Sequence, residues 1–234
     1  GLDPGAPTKD SAVEWLGQVP AHWSVTQLKH VVDPSTSITY GIVQAGPEDE
    51  NGIPYIKTSD MAGDVLPIDG YSKTSPNIEA AFVRSRVKPG DLVISIRASI
   101  GKCLPVPDAL PLANLTQGTA KICPGVSMDR DYLLAFINSA AAQTYFELMA
   151  KGATFKEITL DALRRTPMLA PPLFEQRQIS SSINAVGARL SRLIAKTERS
   201  VALLRERRAA LITAAVTGQI DVRADQSAKD LEPA

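Results

Sequence analysis

Pro171-Pro172-Leu173-Phe174-Glu175-Gln176 opens a stretch that runs to Val216 with no further proline and one glycine, Gly187. Apolar residues recur along it in steps of four and three: Ile179, Ile183, Val186, Leu190 and Leu193, then past Thr197 and Ser200 to Leu204 and Leu211. That spacing is a heptad seam and predicts a long coiled-coil helix. About forty helical residues at roughly 1.5 Å each give a rod of about 60 Å. A rod of that length is no core for the domain before it. An unpaired apolar seam needs a second helix to cover it.

Working outward, residues 1–170 suffice for one domain with a sizeable core, and residues 218–234 form a polar tail. The chain has 234 residues, 44% hydrophobic and 21% charged, which is the balance of a globular protein. No apolar run reaches the roughly 18 residues of a membrane span, and no signal peptide is visible. Cys103 and Cys123 lie in apolar strand-like runs and read as buried thiols of a reducing cytoplasm. Net charge is zero, but it is unevenly spread: residues 174–217 hold eight Lys/Arg against three Asp/Glu, and residues 1–50 hold two against seven. A basic rod behind a mildly basic domain suits a polyanion, and equally a solvated helix face.

Residues 1–24 read as an extended lead-in anchored by Trp15 and Trp23. Ile53-Pro54-Tyr55-Ile56-Lys57 is a short strand, Lys88-Pro89-Gly90-Asp91 a turn, and Leu92-Val93-Ile94-Ser95-Ile96 an alternating strand. Further strand-like pieces are 102–106, 110–115 and 119–122. Residues 33–52 and 60–80 are irregular. From Asp129 the period becomes helical through Tyr132, Leu133, Phe136, Ile137, Ala140, Tyr145, Leu148 and Met149, with Ser127 or Asp129 as cap and Gly152 as stop. Thr159 caps a shorter helix to Leu163, and 167–172 is a stiff linker. The expected fold is therefore α+β: a compact, curled β-rich domain with flanking helices, then the rod.

Enzyme signatures are missing from the sequence. No glycines are spaced G-x-G, and there is no phosphate loop, Asn-Pro-Pro-Tyr stretch or Glu-x-Lys half-motif. His22, beside Trp23, reads as a packing residue, and Glu48-Asp49-Glu50 as a solvated loop. No catalytic residue, metal ligand or cofactor is expected.

Several ordered pieces carry a resemblance. They are Val13-Glu14-Trp15-Leu16-Gly17, Val19-Pro20-Ala21-His22-Trp23, Ile53-Pro54-Tyr55-Ile56-Lys57 and Lys88-Pro89-Gly90-Asp91-Leu92-Val93-Ile94-Ser95. Leu115-Thr116-Gln117-Gly118, Lys151-Gly152-Ala153-Thr154, Pro171-Pro172-Leu173-Phe174-Glu175-Gln176 and Leu211-Ile212-Thr213-Ala214-Ala215-Val216-Thr217-Gly218 complete the series. In this order they resemble the DNA-specificity (S) subunit of type I restriction–modification systems over nearly the whole chain. The resemblance implies a non-catalytic target-recognition domain that reads one half of a split site in double-stranded DNA. It implies that the helix pairs antiparallel with another and sets the gap between half-sites. Methyltransferase (M) subunits would dock on this scaffold, and restriction (R) subunits would join through them.

A full subunit of that family has two such domains, and this chain has one. Two arrangements satisfy a split site: a homodimer of a half-subunit, or pairing with a first half of the same chain. The echo of Leu2-Asp3 in Ile220-Asp221 favours the second half of a longer subunit. The competing reading is a coiled-coil adaptor whose head binds protein.

Groove readout needs polar and basic side chains on loops. The candidates are Tyr40, Lys57, Thr58, Ser59, Tyr71, Ser72, Lys73, Arg84 and Arg86 from the irregular stretches, Arg97 leaving a strand, and Lys151, Thr154 and Lys156 after a helix. Arg97 reads equally as a structural ion pair, and 151–154 equally as a turn.

Overall fold

The computed structural model of the chain describes residues 5–152 and 156–220. They divide into two units, one up to Ser181 and one from Ser182 onward. In chain order the strands are β1 (Thr8–Asp10), β2 (Gln18–Pro20), β3 (Ser24–Gln27), β4 (Thr39–Tyr40), β5 (Ile53–Ile56), β6 (Lys73–Thr74), β7 (Leu92–Ser95), β8 (Cys103–Pro105), β9 (Asn114–Leu115), β10 (Thr119–Ile122) and β11 (Pro167–Ala170). The helices are α1 (Pro76–Glu79), α2 (Arg130–Ile137), α3 (Ala140–Met149), α4 (Leu160–Arg164) and α5 (Leu173–Val216). The architecture is α+β, with several small sheets and short helices ahead of one long helix.

At the centre of the first unit lies an antiparallel sheet ordered β4-β10-β7-β8. Strand side chains alternate between faces, and here both faces are covered. Leu92, Ile94, Cys103, Ala120 and Ile122 join one core, which also holds Tyr132, Leu133, Phe136 and Ile137 of α2 and Tyr145 and Phe146 of α3. Val93 and Leu104 join a second core with Ile56, Met61, Tyr71, Val87 and Leu115. The alternation legible in 92–96 therefore separates two cores rather than core from solvent. The second core is roofed by the sheet β6-β5-β9, in which β5 and β9 run parallel. The two sheets meet closely at Gly41: a Cβ there would sit 2.0 Å from the Leu115 carbonyl oxygen, so only glycine fits.

Two sequence expectations change. The helix expected from Asp129 to Gly152 is two helices. Asp129 caps the first, accepting from Tyr132 N–H at 2.9 Å. The second is recapped by Ser139, which accepts from Ala142 N–H at 3.4 Å. Between them Asn138 turns its amide onto the Cys103 backbone of β8, accepting from its N–H at 3.2 Å and donating to its carbonyl at 3.0 Å. A periodicity count cannot see a break made by a contact thirty-five residues away. The 167–172 stretch is likewise no mere linker: its first four residues are β11, paired antiparallel with β3. Pro167 is its first residue, a position where the missing N–H is tolerated.

Helix α5 begins in the first unit. Gln176 is 1% exposed, and its amide donates to the carbonyls of Pro171 at 2.8 Å and Ser127 at 3.1 Å. Its side-chain Oε1 accepts from Asp129 N–H at 2.8 Å. Glu175 accepts from Trp23 Nε1 at 2.9 Å and lies 2.7 Å from His22 Nε2. These partners, the indole first, hold the Glu175 carboxyl below the usual range. His22 thus meets the Trp23 ring edge-on, with centroids 6.4 Å apart, and is in addition a polar partner of Glu175 at the surface. Ile179 packs on the first core. From Ser182 onward the helix is exposed, and Ile183, Val186, Leu190, Leu193, Leu204 and Leu211 are 47–63% accessible. Ile194, Val201, Leu203 and Ile212, not part of the expected seam, widen the exposed apolar stripe. Among the described residues, no helix is long and apolar enough to cross a membrane.

Gly41→Ala forces β4 away from the Leu115 backbone and should cost about 1–3 kcal/mol. Urea denaturation should show a lower midpoint with an unchanged slope.

Candidate nucleic-acid interface

Where β10 begins and β7 ends, the backbone continues in a short chain of pairings. The Gly118 carbonyl accepts from Ile96 N–H at 2.9 Å, and the Ile96 carbonyl accepts from Ile158 N–H at 3.0 Å. Beside it Arg97 bridges to Glu157, and Glu157 exchanges both backbone bonds with Lys151, at 2.8 and 2.9 Å. This ladder carries the segments at 97, 151 and 157 to one end of the central sheet. Thr58 reaches the same place from the other side. A Cβ on Gly118 would lie 2.5 Å from Thr58 Oγ1 and 4.0 Å from Arg97 Cβ. A side chain at 118 would push the two apart.

Lys57 precedes Thr58 and donates from Nζ to Ser72 Oγ at 2.8 Å, with the ammonium 5.9 Å from the Tyr55 ring centroid. Ser59 follows, exposed, in the short 3₁₀ turn Thr58–Met61. Arg97 Nε donates to Glu157 Oε2 at 2.8 Å, with both side chains over 40% exposed. An ion pair that open is worth little in itself, so Arg97 can exchange its carboxylate for another anion. Lys151 and Lys156 are exposed nearby, and Thr154 lies outside the described residues. The structure thus brings Lys57, Thr58, Ser59, Ser72, Arg97, Lys151 and Lys156 to one end of the sheet.

Other candidates lie elsewhere or are engaged. Tyr71 is a core residue, not a surface contact: it is 8% exposed, its hydroxyl donates to the Pro67 carbonyl at 2.5 Å, and burial pushes its pKa up to about 12. Arg86 holds the fold together. Its Nε and Nη2 donate to Glu79 at 2.5 and 2.6 Å. Glu79 is 2% exposed and also accepts from Asn114 Nδ2 at 3.0 Å, while Ser85 donates to Asn114 Oδ1 at 2.6 Å. Lys73 is drawn to the acidic loop, its Nζ donating to the Glu50 carbonyl at 2.7 Å and its N–H to Glu48 Oε1 at 2.7 Å. The Glu48-Asp49-Glu50 run therefore anchors β6 as well as meeting solvent. Tyr40 is exposed on the edge strand β4, and Arg84 is exposed in the 3₁₀ segment Ala80–Ser85.

Cys103 and Cys123 are free thiols. Burial pushes both pKa values up, that of Cys123 to about 11 with Asp91 adding to it, so both stay protonated near neutrality. Lys121 escaped the sequence reading. Its only signal was a lysine inside the apolar strand Thr119-Ala120-Lys121-Ile122, where it is 8% exposed.

The geometry is that of a rigid sheet offering loops and short turns at one end, the usual way a scaffold presents recognition residues. Comparison with known proteins gives the class. Residues 20–202 match the family model described as type I restriction modification DNA specificity domain. The chain belongs to that family, one of DNA-specificity domains rather than catalytic ones. It is 22% identical over 203 residues to the type I restriction enzyme EcoBI specificity subunit of Escherichia coli, covering 86% of this chain and 43% of that one. It is similar in fold to a solved chain from a study of complex assembly and conformational transition of the type I R-M system, with TM-score 0.66 and 23% identity over 91% of this chain and 47% of that one. The HsdS subunit from Thermoanaerobacter tengcongensis is similar with TM-score 0.57 and 23% identity, over 81% of this chain and 40% of that one. The chain spans about half the length of these relatives.

The Arg86–Glu79 pair generates a prediction. Arg86 holds the Glu79 carboxyl below the usual range. The folded pKa is depressed, so the stabilisation is present above the unfolded value of about 4.3 and lost as pH falls through the folded one. Arg86→Ala should cost about 1.5–3 kcal/mol near neutrality and flatten the acid limb of stability against pH, followed by urea midpoints from pH 7 to pH 3.

Proposed function

We propose that the chain is the sequence-reading part of a type I restriction–modification complex, recognising one half of a bipartite site in double-stranded DNA. The family match over residues 20–202 carries this reading. The DNA-facing surface is the sheet end that carries Lys57, Thr58, Ser59, Ser72, Arg97, Lys151 and Lys156. Among the described residues it holds four cations against two carboxylates, Glu157 beside Arg97 and Asp60, which accepts from Lys57 N–H at 2.8 Å. Such a surface attracts phosphates and offers hydroxyls to base edges. The exposed stripe from Ile183 to Leu211 pairs antiparallel with a second such helix, from another copy of this chain or from a first half. The paired helices set the spacing between half-sites. Methyltransferase subunits dock on this scaffold, restriction subunits join through them, and the complex works on DNA in the cytoplasm. The chain itself carries no chemistry.

Two experiments test this. In complex with the methyltransferase subunit, Arg97→Ala and Lys151→Ala should each weaken duplex binding. Each should also lower the slope of log affinity against log salt by about one. Arg86→Ala should leave the slope unchanged. Wild-type slopes for all three would remove this end of the sheet from the interface, and duplex affinity indifferent to salt would favour a protein-binding head.

Separately, Leu190→Asp with Leu193→Asp places two charges three residues apart on the stripe, where pairing would desolvate them. Sedimentation should change from dimer to monomer while the first unit stays folded. An unchanged dimer would mean that another surface pairs.

A further inference from the structure

At the opposite end of β10 from Gly118, a cavity of about 400 Å³ is lined by Pro34, Ser35, Thr36, Ser37, Val83, Arg84 and Lys121. Its wall is built before any ligand arrives. The Asp33 carboxylate accepts from Ser35 N–H at 2.8 Å and Ser35 Oγ at 2.7 Å, and the Asp33 carbonyl accepts from Thr36 N–H at 3.0 Å. Those bonds fix the 35–37 arc. They also hold the Asp33 carboxyl below its usual range, the Ser35 hydroxyl contributing most.

The donors in this cavity exceed the acceptors. Lys121 is 8% exposed, and its ammonium donates to one acceptor, the Arg86 carbonyl at 2.9 Å. An ammonium has three N–H donors, so two remain. Arg84 is exposed and its guanidinium takes no hydrogen-bond or ion-pair partner among the described residues, nor does the Ser37 hydroxyl. No carboxylate lines the cavity. Asp33 belongs to the adjoining cavity, which shares Lys121 but is mixed in charge, holding Asp91 and Lys88 as well. Lys121 therefore has the Asp33 charge on one side, in the adjoining cavity, and no carboxylate on this side. A site with two cations, a free hydroxyl and spare N–H donors accepts an anion with several oxygens.

We propose that Lys121, Arg84 and Ser37 form a binding site for a phosphate group, separate from the surface at the Gly118 end. Lys121 supplies a fixed charge from the sheet. Arg84 closes over the outer side with its fork of donors, and Ser37 donates to a third oxygen. The group comes either from a duplex backbone or from a small free phosphate.

The experiment is thermal unfolding of the full chain in sodium phosphate against sodium chloride at matched ionic strength, with Arg84→Ala and Ser37→Ala alongside. Both substituted positions are exposed, so neither change threatens the fold. Phosphate stabilises folded proteins in general by exclusion from their surface, and that part is the same in all three proteins. The expected result is an additional saturable rise in wild type, lost in Arg84→Ala and reduced in Ser37→Ala. An equal response in all three overturns the site, whatever DNA does. A duplex titration then assigns the source. If Arg84→Ala also lowers the salt slope by about one, the phosphate belongs to the DNA backbone; if duplex binding is unchanged, a small free phosphate is the ligand. The phosphate measurement contains no DNA, so its failure leaves the specificity reading standing, and failure of that reading leaves the site standing.

Discussion

A small sheet whose central strands β7 and β10 are buried on both faces imposes the main constraint on this domain. The sheet β4-β10-β7-β8 has no solvent face, so it needs cover on each side. Helices α2 and α3 cover one face, and the β6-β5-β9 sheet with its turns covers the other. Neither layer could bury its own apolar side alone. With both faces taken, only the ends and the edge of the sheet are left to meet solvent or a ligand. Arg97 and Lys151 lie at one end, and Arg84 lies beside Lys121 toward the other.

A second constraint acts at the start of the long helix. Gln176 is buried with three hydrogen bonds, one of them from the backbone N–H of the residue that caps α2. Glu175 does the same for the lead-in through His22 and Trp23. Adjacent side chains thus tie the first turn of α5 to two segments about 50 and 150 residues away in sequence. Replacing Gln176 removes partners from groups already withdrawn from water, a larger loss than a surface hydrogen bond would be, and replacing Glu175 does the same to the buried Trp23 indole N–H. Among the described residues, the apolar stripe beyond Ser182 has no such partners.

The cations divide by what they touch. Arg86 is held by a buried carboxylate and serves the fold. Arg97 is held by an open one and is free to exchange. Lys73 is drawn to the acidic loop, and Lys121 is buried with donors to spare. All four are basic residues in polar or strand-like stretches, and residue type alone gives them the same standing. The depth of the partner carboxylate separates Arg86 from Arg97, because burial makes an ion pair hard to break and exposure makes it cheap.

The sequence by itself determined the long helix, the strands at 53–56, 92–95 and 119–122, the cap at Thr159, and the family resemblance, and it narrowed the α2 cap to Ser127 or Asp129. Each rests on local spacing or on an ordered set of short motifs, which need no knowledge of what lies across the fold. Tertiary structure alone decided that Asn138 breaks a helix, because its partner Cys103 is far away in sequence. It also decided that Pro167–Ala170 is a strand, because β3 is there to receive it. It placed Tyr71 in a core and Arg86 on Glu79, and it brought Thr58 and Arg97 together over Gly118 with Lys151 joined to Arg97 through Glu157. Side-chain neighbours across a sheet come from pairing register, and two- to four-residue strands carry too little pattern to announce their register. The long helix was legible because its repeat lasts through many turns. The candidate surface was legible only as residue types, because its assembly depends on separate segments, Thr58 and Arg97 at Gly118 and 151 and 157 beyond them, joined by long-range pairings.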